Sequence, residues 1–234
     1  QVGGALSETY SPGILAQDRW YFREVTSTLG INTCVERTDT LTITVNNLNP
    51  GSIAGDQTIC EGGDPVAFTS VLPTYDGALL YEWQSSTDGT TFADIVGQTG
   101  ATYDAPALTQ DTWYKRLVTS TLPGNTCMEE TNTVRITVNN FDPGSIGSDQ
   151  TICENSIPDP LTSVAPSGDG AFTYRWLNSS DGVTFSVIAG AVNESYSPAA
   201  LSADTWFRRE VTSTLNTKQC IEFTNDVKIT VNNF

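Results

Sequence analysis

Every tryptophan in this chain falls on one lattice. Trp20, Trp113 and Trp206 are separated by steps of 93 residues, and the same step carries Trp83 onto Trp176, Tyr10 onto Tyr103 and Tyr196, and Cys34 onto Cys127 and Cys220. A period this long means that one structural unit is reiterated, and the unit is about one immunoglobulin-like domain long. Residues 46–138 align with 139–231 without a gap, and Gln1 falls opposite Asp94 and Val187. The expected organisation is therefore the second half of a copy over 1–45, a complete copy over 46–138 and a second complete copy over 139–234.

Within the unit, Thr, Val, Ile, Tyr and Trp dominate, and short alternating runs are cut by Gly, Pro, Asn and Asp. That pattern predicts short strands joined by tight turns, an all-β class, and at this length a tandem series of immunoglobulin-like β-sandwich domains with a 93-residue repeat. In the copy at 46–138 strands are expected over Ser52 to Ile59, Pro65 to Leu72, Leu79 to Ser85, Phe92 to Val96, Thr112 to Ser120 and Thr133 to Val138, with a short addition at Thr102 and Tyr103. Alternation along Leu79–Ser85 puts Leu79, Tyr81 and Trp83 on the core face and Leu80, Glu82 and Gln84 on the other. Asp88-Gly89 and Asp181-Gly182 read as turn residues, because Gly tolerates positive φ.

The cysteines repeat as well. Cys60 and Cys127 are 67 residues apart, as are Cys153 and Cys220. One bridge within each complete copy is the economical expectation, Cys60 to Cys127 and Cys153 to Cys220. Each would close a loop worth roughly 4 kcal/mol in the chain-entropy model. Disulfides imply an oxidising compartment, hence an extracellular or cell-surface location. Cys34 holds the second position of its pair. With no histidine and no closely spaced cysteines, a zinc site is disfavoured.

The series Thr58-Ile59-Cys60-Glu61, Tyr81-Glu82-Trp83-Gln84-Ser85-Ser86-Thr87-Asp88-Gly89, Asp111-Thr112-Trp113-Tyr114-Lys115-Arg116 and Arg135-Ile136-Thr137-Val138 resembles the immunoglobulin-like or PKD-like tandem repeats of very large Bacteroidota surface proteins. These include gliding-motility adhesins exported by the type 9 secretion system. The resemblance covers the whole chain and implies export across the outer membrane, long arrays, and attachment to surfaces or other cells. Asp39-Thr40-Leu41 also resembles the Bacteroidota O-glycosylation signal.

Chemistry is largely excluded by composition. Without histidine the Ser-His-Asp and Cys-His arrangements cannot be built, and no Gly-rich phosphate loop stands between a strand and a helix, so the chain reads as no enzyme. A formal charge of −16, from 27 acidic and 11 basic residues, disfavours nucleic acid and anionic membrane as partners. No apolar run approaches the ~18 residues of a membrane-spanning helix. Arg23, Arg116 and Arg209 recur on the lattice, as do Glu36, Glu129 and Glu222. Cross-strand salt bridges are the expected explanation.

The junctions Val45-Asn46-Asn47-Leu48-Asn49-Pro50-Gly51 and Val138-Asn139-Asn140-Phe141-Asp142-Pro143-Gly144 are short, and Pro fixes φ in each. They read as semi-rigid links in which Leu48 or Phe141 packs between domains. No cofactor is required, although calcium is an alternative, with Asp142, Asp149 and Asp56 as candidate ligands; Asn49 standing opposite Asp142 weakens it. Two functions from different classes emerge. The first is a structural stalk or filament segment of an extracellular adhesin or surface fibre. The second is a glycan- or surface-binding module, for which Trp113 and Trp206 are the binding candidates. Expected partners are neighbouring repeats, further copies through strand complementation or lateral packing, and surface glycans. For residues 1–45, a window cut from a longer polypeptide is the preferred explanation over completion by strands received from a neighbouring subunit, which would instead make Gln1 the mature terminus.

Overall fold

Alternation governs the longest strand of the unit. In Thr112–Leu122, Tyr114, Arg116, Val118 and Ser120 are buried, whereas Trp113, Lys115 and Leu117 lie half-buried on the opposite face. This is the two-residue period of a pleated strand with one face against a core. The computed structural model describes residues 3 and 5–233. Gln1, where the lattice starts the half-copy, lies outside the described residues.

Each complete repeat is a sandwich of unequal layers. In the first, the main sheet has the order Ala93–Asp94, Ala78–Ser86, Thr112–Leu122, Val134–Asn139, Gln57–Cys60, and Asn125–Glu130 adds a second partner to Thr112–Leu122. All pairings are antiparallel except the last, in which Gln57–Cys60 runs parallel to Val134–Asn139. A thin layer faces it, made of Ser52–Ala54 paired with Thr69–Val71, and Leu48–Asn49 paired with Thr74–Tyr75. Ile53 and Phe68 from that side meet Trp83, Tyr103, Tyr114, Val134, Ile136 and Val138 in one core cluster. The second repeat reproduces the order with Ser186–Val187, Ala171–Ser179, Thr205–Leu215, Val227–Asn232 and Gln150–Cys153, with Lys218–Phe223 as the added strand. Its core holds Ile146, Leu161, Trp176, Phe207, Val227 and Ile229. No helix occurs among the described residues. The fold is all-β, as tandem immunoglobulin-like sandwiches.

Residues 1–45 carry Arg19–Tyr21 paired with Leu41–Ile43, and the hairpin Glu24–Leu29 with Asn32–Arg37. Both are elements of the second half of the unit. Trp20 is 63% exposed, and the hairpin is exposed along its whole length.

Several strand expectations are refined. The run Ser52 to Ile59 divides at Gly55, whose φ is 134°, so that Ser52–Ala54 joins the thin layer and Gln57–Cys60 the main sheet. Pro65 to Leu72 contracts to Thr69–Val71 and Phe92 to Val96 to Ala93–Asp94. Tyr103 forms no strand; its carbonyl accepts the Phe68 amide at 3.2 Å and its ring enters the core. The core face read for Leu79–Ser85 is the observed one, with Trp83 fully buried and Leu80 65% exposed.

The expected salt bridges are not formed. Arg116 is opposite Trp83, and Glu129 is opposite Val118, so the two are out of register. Arg116 instead points inward and is fully buried, as is Arg209. Its guanidinium donates to Ser70 Oγ at 2.8 Å, to the Pro50 carbonyl at 3.2 Å and to the Ala101 carbonyl, and lies 4.7 Å from the Tyr81 ring centroid. Arg209 repeats this with Ser163 Oγ, the Glu194 carbonyl, the Pro143 carbonyl and the Tyr174 ring. The physical reason is parity: Arg116 lies two residues from both Tyr114 and Val118 and shares their inward face. Burial pulls both guanidinium pKa values down from the usual arginine range.

Candidate functional site: the junction between repeats

The Thr205–Leu215 strand keeps Ala171–Ser179 on one edge and changes partner on the other. Its first residues, Thr205 to Phe207, pair with Val227–Asn232, and from Glu210 onward it pairs with Lys218–Phe223. The switch is made at Thr224, which takes the Arg209 amide on its hydroxyl and donates its own amide to the Arg209 carbonyl, both at 3.0 Å. Beyond the switch the hairpin becomes an arm that reaches the preceding repeat. At its turn Asn216 and Thr217 adopt positive φ, and Asn216 Nδ2 donates to Thr58 Oγ1 at 3.4 Å.

Between the arm and the preceding repeat lies a buried polar contact. Asn139 closes the last strand of the first repeat and is 1% exposed, and Ser213 on the arm is fully buried. Asn139 Nδ2 donates to the Ser213 carbonyl at 3.2 Å, and Ser213 Oγ donates to Asn139 Oδ1 at 2.9 Å. The same reciprocal pair recurs one repeat earlier, where Asn46 Nδ2 donates to the Ser120 carbonyl at 2.8 Å and Ser120 Oγ to Asn46 Oδ1 at 2.7 Å. A side chain with a donor and an acceptor, matched to a backbone carbonyl and a hydroxyl, fixes one orientation. Two junctions carry it identically.

A covalent bond lies beside this contact. Cys60 is in register with Asn139, Cys220 is in register with Ser213, and the two sulfurs are joined. The bond thus crosses the junction and spans 160 residues of chain. It replaces the bridges expected inside each copy, Cys60 to Cys127 and Cys153 to Cys220; Cys127 and Cys153 carry free thiols, as does Cys34. Geometry explains the difference. Cys60 lies past the outgoing end of its repeat, beyond the point where Thr112 pairs with Ile136 and Ile136 with Gln57. Cys127 is opposite Ser120, eight residues along the same strand toward the incoming end. At ~3.3 Å per residue that is about 26 Å, against a ceiling of about 7 Å between the Cα atoms of a disulfide. Equal spacing in the sequence marks equivalent positions, and here a first position bonds the second position of the next repeat. The signal available beforehand was the hairpin arm, which carries the second cysteine away from its own first strand.

The linkers are held by their own repeats. The Pro50 and Pro143 carbonyls accept from the buried Arg116 and Arg209. Asn49 Oδ1 accepts the Gly51 amide at 2.9 Å, and Asp142 Oδ1 accepts the Gly144 amide at 2.7 Å. This turn role suits Asn and Asp equally, which accounts for their interchange on the lattice. Asp56 Oδ1 accepts the Arg135 amide and Asp149 Oδ1 the Lys228 amide, each at 2.7 Å. Among the described residues no three His, Cys, Asp or Glu side chains converge as a metal-ligating group. Of the two apolar residues expected between repeats, Phe141 pairs with Gly168 of the repeat it enters, its ring 5.7 Å from Phe172, and Leu48 pairs with Tyr75 of the repeat it enters.

The aromatic candidates are half-covered. Trp113 lies under the Arg135 guanidinium at 4.8 Å, and Trp206 under the Lys228 ammonium at 4.7 Å. Gly89 and Gly182, both at φ 71°, approach the same rings so closely that a Cβ would sit 3.1 Å from them. Asp88 and Asp181 set these turns. Asp181 Oδ1 accepts the amides of Val183 and Thr184 and the Ser179 hydroxyl, which hold its carboxyl down at about 2.

The family model described as Domain of unknown function (DUF8696) matches residues 49–140 and again 142–233. The chain belongs to that family. Each match begins after the Asn139 or Asn46 position, so the family unit is one sandwich with its incoming linker. No curated protein matches. Among solved structures, the chain is similar to the fibronectin(III)-like modules of Clostridium thermocellum CbhA at 15% identity, with 81% of this chain and 95% of that one covered and a TM-score of 0.33. It is similar to tandem Ig repeats of Dlar at 10% identity, 81% and 98% coverage and a TM-score of 0.30. A crystal structure of titin domains gives 14% identity, 90% and 75% coverage and a TM-score of 0.34. The fold assignment rests on the strand order and core described above.

Proposed function

We propose that the chain is a load-bearing stalk segment of an extracellular surface fibre, in which the repeats supply length and stiffness and the junction carries the specialised chemistry. The observation that carries this reading is the Cys60–Cys220 bond across the junction. A domain that worked alone would gain most from a bridge in its own core, whereas a bond from one repeat to the next restrains their separation. The reciprocal Asn–Ser contact beside it, present at both junctions, adds orientation to that restraint. An oxidising, extracellular location follows from the need to keep the bond, and a surface adhesin of the Bacteroidota kind is the setting that the sequence resemblance supports.

The test is small-angle scattering of the oxidised full chain, combined with a glycan array. Rod-like scattering that is unchanged by a chelator, with no glycan retained, is the expected result. Scattering from loosely jointed domains, or saturable glycan binding lost in a Trp113→Ala, Trp206→Ala double variant, would replace the stalk with a binding module.

A further inference from the structure

The junction bond uses the first cysteine position of one repeat and the second position of the next. Both positions recur, and each is presented in the same setting. Cys153 is in parallel register with Asn232, as Cys60 is with Asn139. Cys127 is opposite Ser120, as Cys220 is opposite Ser213, and its sulfur lies 3.3 Å from the carbonyl oxygen of Asn46. At the earlier junction the Asn46–Ser120 contact is already made, so Cys127 is seated beside the strand end where a first-position cysteine belongs. Cys34 is opposite Ser27 on its own exposed hairpin and completes the series.

We propose that Cys127 and Cys153 are the open halves of the same cross-repeat bond. Cys127 takes the first-position cysteine of the repeat on its incoming side, and Cys153 takes the second-position cysteine of a repeat following on its outgoing side. Each bond forms when two thiols give up two protons and two electrons to a disulfide-class oxidant, which leaves as two thiols. Successive bonds then overlap: each closes 160 residues while the repeat advances by 93, so every part of an array lies inside at least one covalent loop.

The consequence for tension rests on the stalk reading; the pairing does not. In a bonded array the shortest covalent path enters a repeat at a second-position cysteine and leaves at the next first-position one. Cys34 to Cys60 and Cys127 to Cys153 are both 26 residues. Such a stretch extends to at most about 90 Å, yet it stands for two repeats of chain. Unfolding under load is thereby capped at about one-seventh of the contour length of the polypeptide.

The experiment appends a copy of residues 142–234 after Phe234 of the full chain, in register with the lattice, and refolds it with oxidised glutathione as the oxidant. The appended chain has seven cysteines. The expected result is three titratable thiols, with Cys153 joined to the appended copy of Cys220 in non-reducing peptide mapping. Cys153→Ser in the same chain should leave four thiols, with Cys60–Cys220 intact. One thiol, with every pair inside its own repeat, would overturn the proposal. So would five thiols with Cys153 free, or a reducible dimer through Cys153. Glycan binding or flexible scattering would sink the stalk reading without changing any of these counts.

Discussion

Asn139 sits in parallel register with Cys60 while its side-chain amide donates to the carbonyl of Ser213 in the next repeat. One residue therefore closes a sheet and opens an interface. Asn139→Ala would leave the Ser213 carbonyl and hydroxyl without this partner in a buried site, at a cost of about 1–3 kcal/mol. Asn46→Ala should cost a similar amount through Ser120. In a double-mutant cycle, Asn139→Ala with Ser213→Ala should lose less than the sum of the two, because the pair acts as a unit. Urea denaturation of the oxidised chain measures all three, and strict additivity would mean that the contact is incidental.

Arg116 gives the second prediction. It is a buried cation held by carbonyls, a hydroxyl and an aromatic face, and its guanidinium ties the Pro50 linker to the core. Arg116→Ala removes all of these partners and leaves a cavity, so the loss should be about 3–5 kcal/mol. Arg116→Lys should recover only part of it, since an ammonium cannot match the fork geometry. Glu129→Gln should leave stability within about 0.5 kcal/mol, because Glu129 has no part in holding Arg116.

The contrast between these residues shows what was legible in the sequence. The repeat, the all-β class and the inward face of Leu79–Ser85 follow from period and alternation alone. Parity along Thr112–Leu122 also places Arg116 inward, whereas the recurrence of Arg116 and Glu129 on the same lattice points to an ion pair that the register does not allow. The thin layer was hidden because the chain passes from one layer to the other at Gly55, inside the stretch Ser52 to Ile59 that reads as one strand. The junction was out of reach for a different reason: spacing identifies equivalent cysteines but not which neighbour each one faces. That depends on which end of the sheet the hairpin occupies once the long strand changes partner at Thr224, a property of the assembled sheet.

Asp181 supplies a pH-dependent prediction. Its carboxylate accepts two backbone amides and a hydroxyl, and its pKa is lowered to about 2. A depressed folded-state pKa contributes stability that is fully present above the unfolded value of about 3.9 and is lost as pH falls toward the folded value. Carboxyl-resolved NMR should show Asp181 titrating near 2, with Asp88 also depressed through the matching turn. Asp181→Asn should remove that part of the acid dependence between about pH 4 and pH 2. An ordinary aspartate titration near 3.9 would show that the turn does not hold the carboxylate.

The cysteines distinguish the two bonding schemes through stability as well as through mapping. A bond closing 160 residues is worth about 5 kcal/mol in the chain-entropy model. Cys60→Ser and Cys220→Ser should therefore lower the stability of the oxidised chain equally, because each destroys the same bond, and the double variant should lose no more than either alone. Cys127→Ser and Cys153→Ser should change stability by less than about 0.5 kcal/mol in this chain, since both are free thiols here. Bridges within each repeat would give the opposite grouping, with Cys127→Ser matching Cys60→Ser and Cys153→Ser matching Cys220→Ser. Calorimetry of the four single variants reads the grouping directly. Reductant should bring the wild type down to the level of Cys60→Ser and leave that variant unmoved.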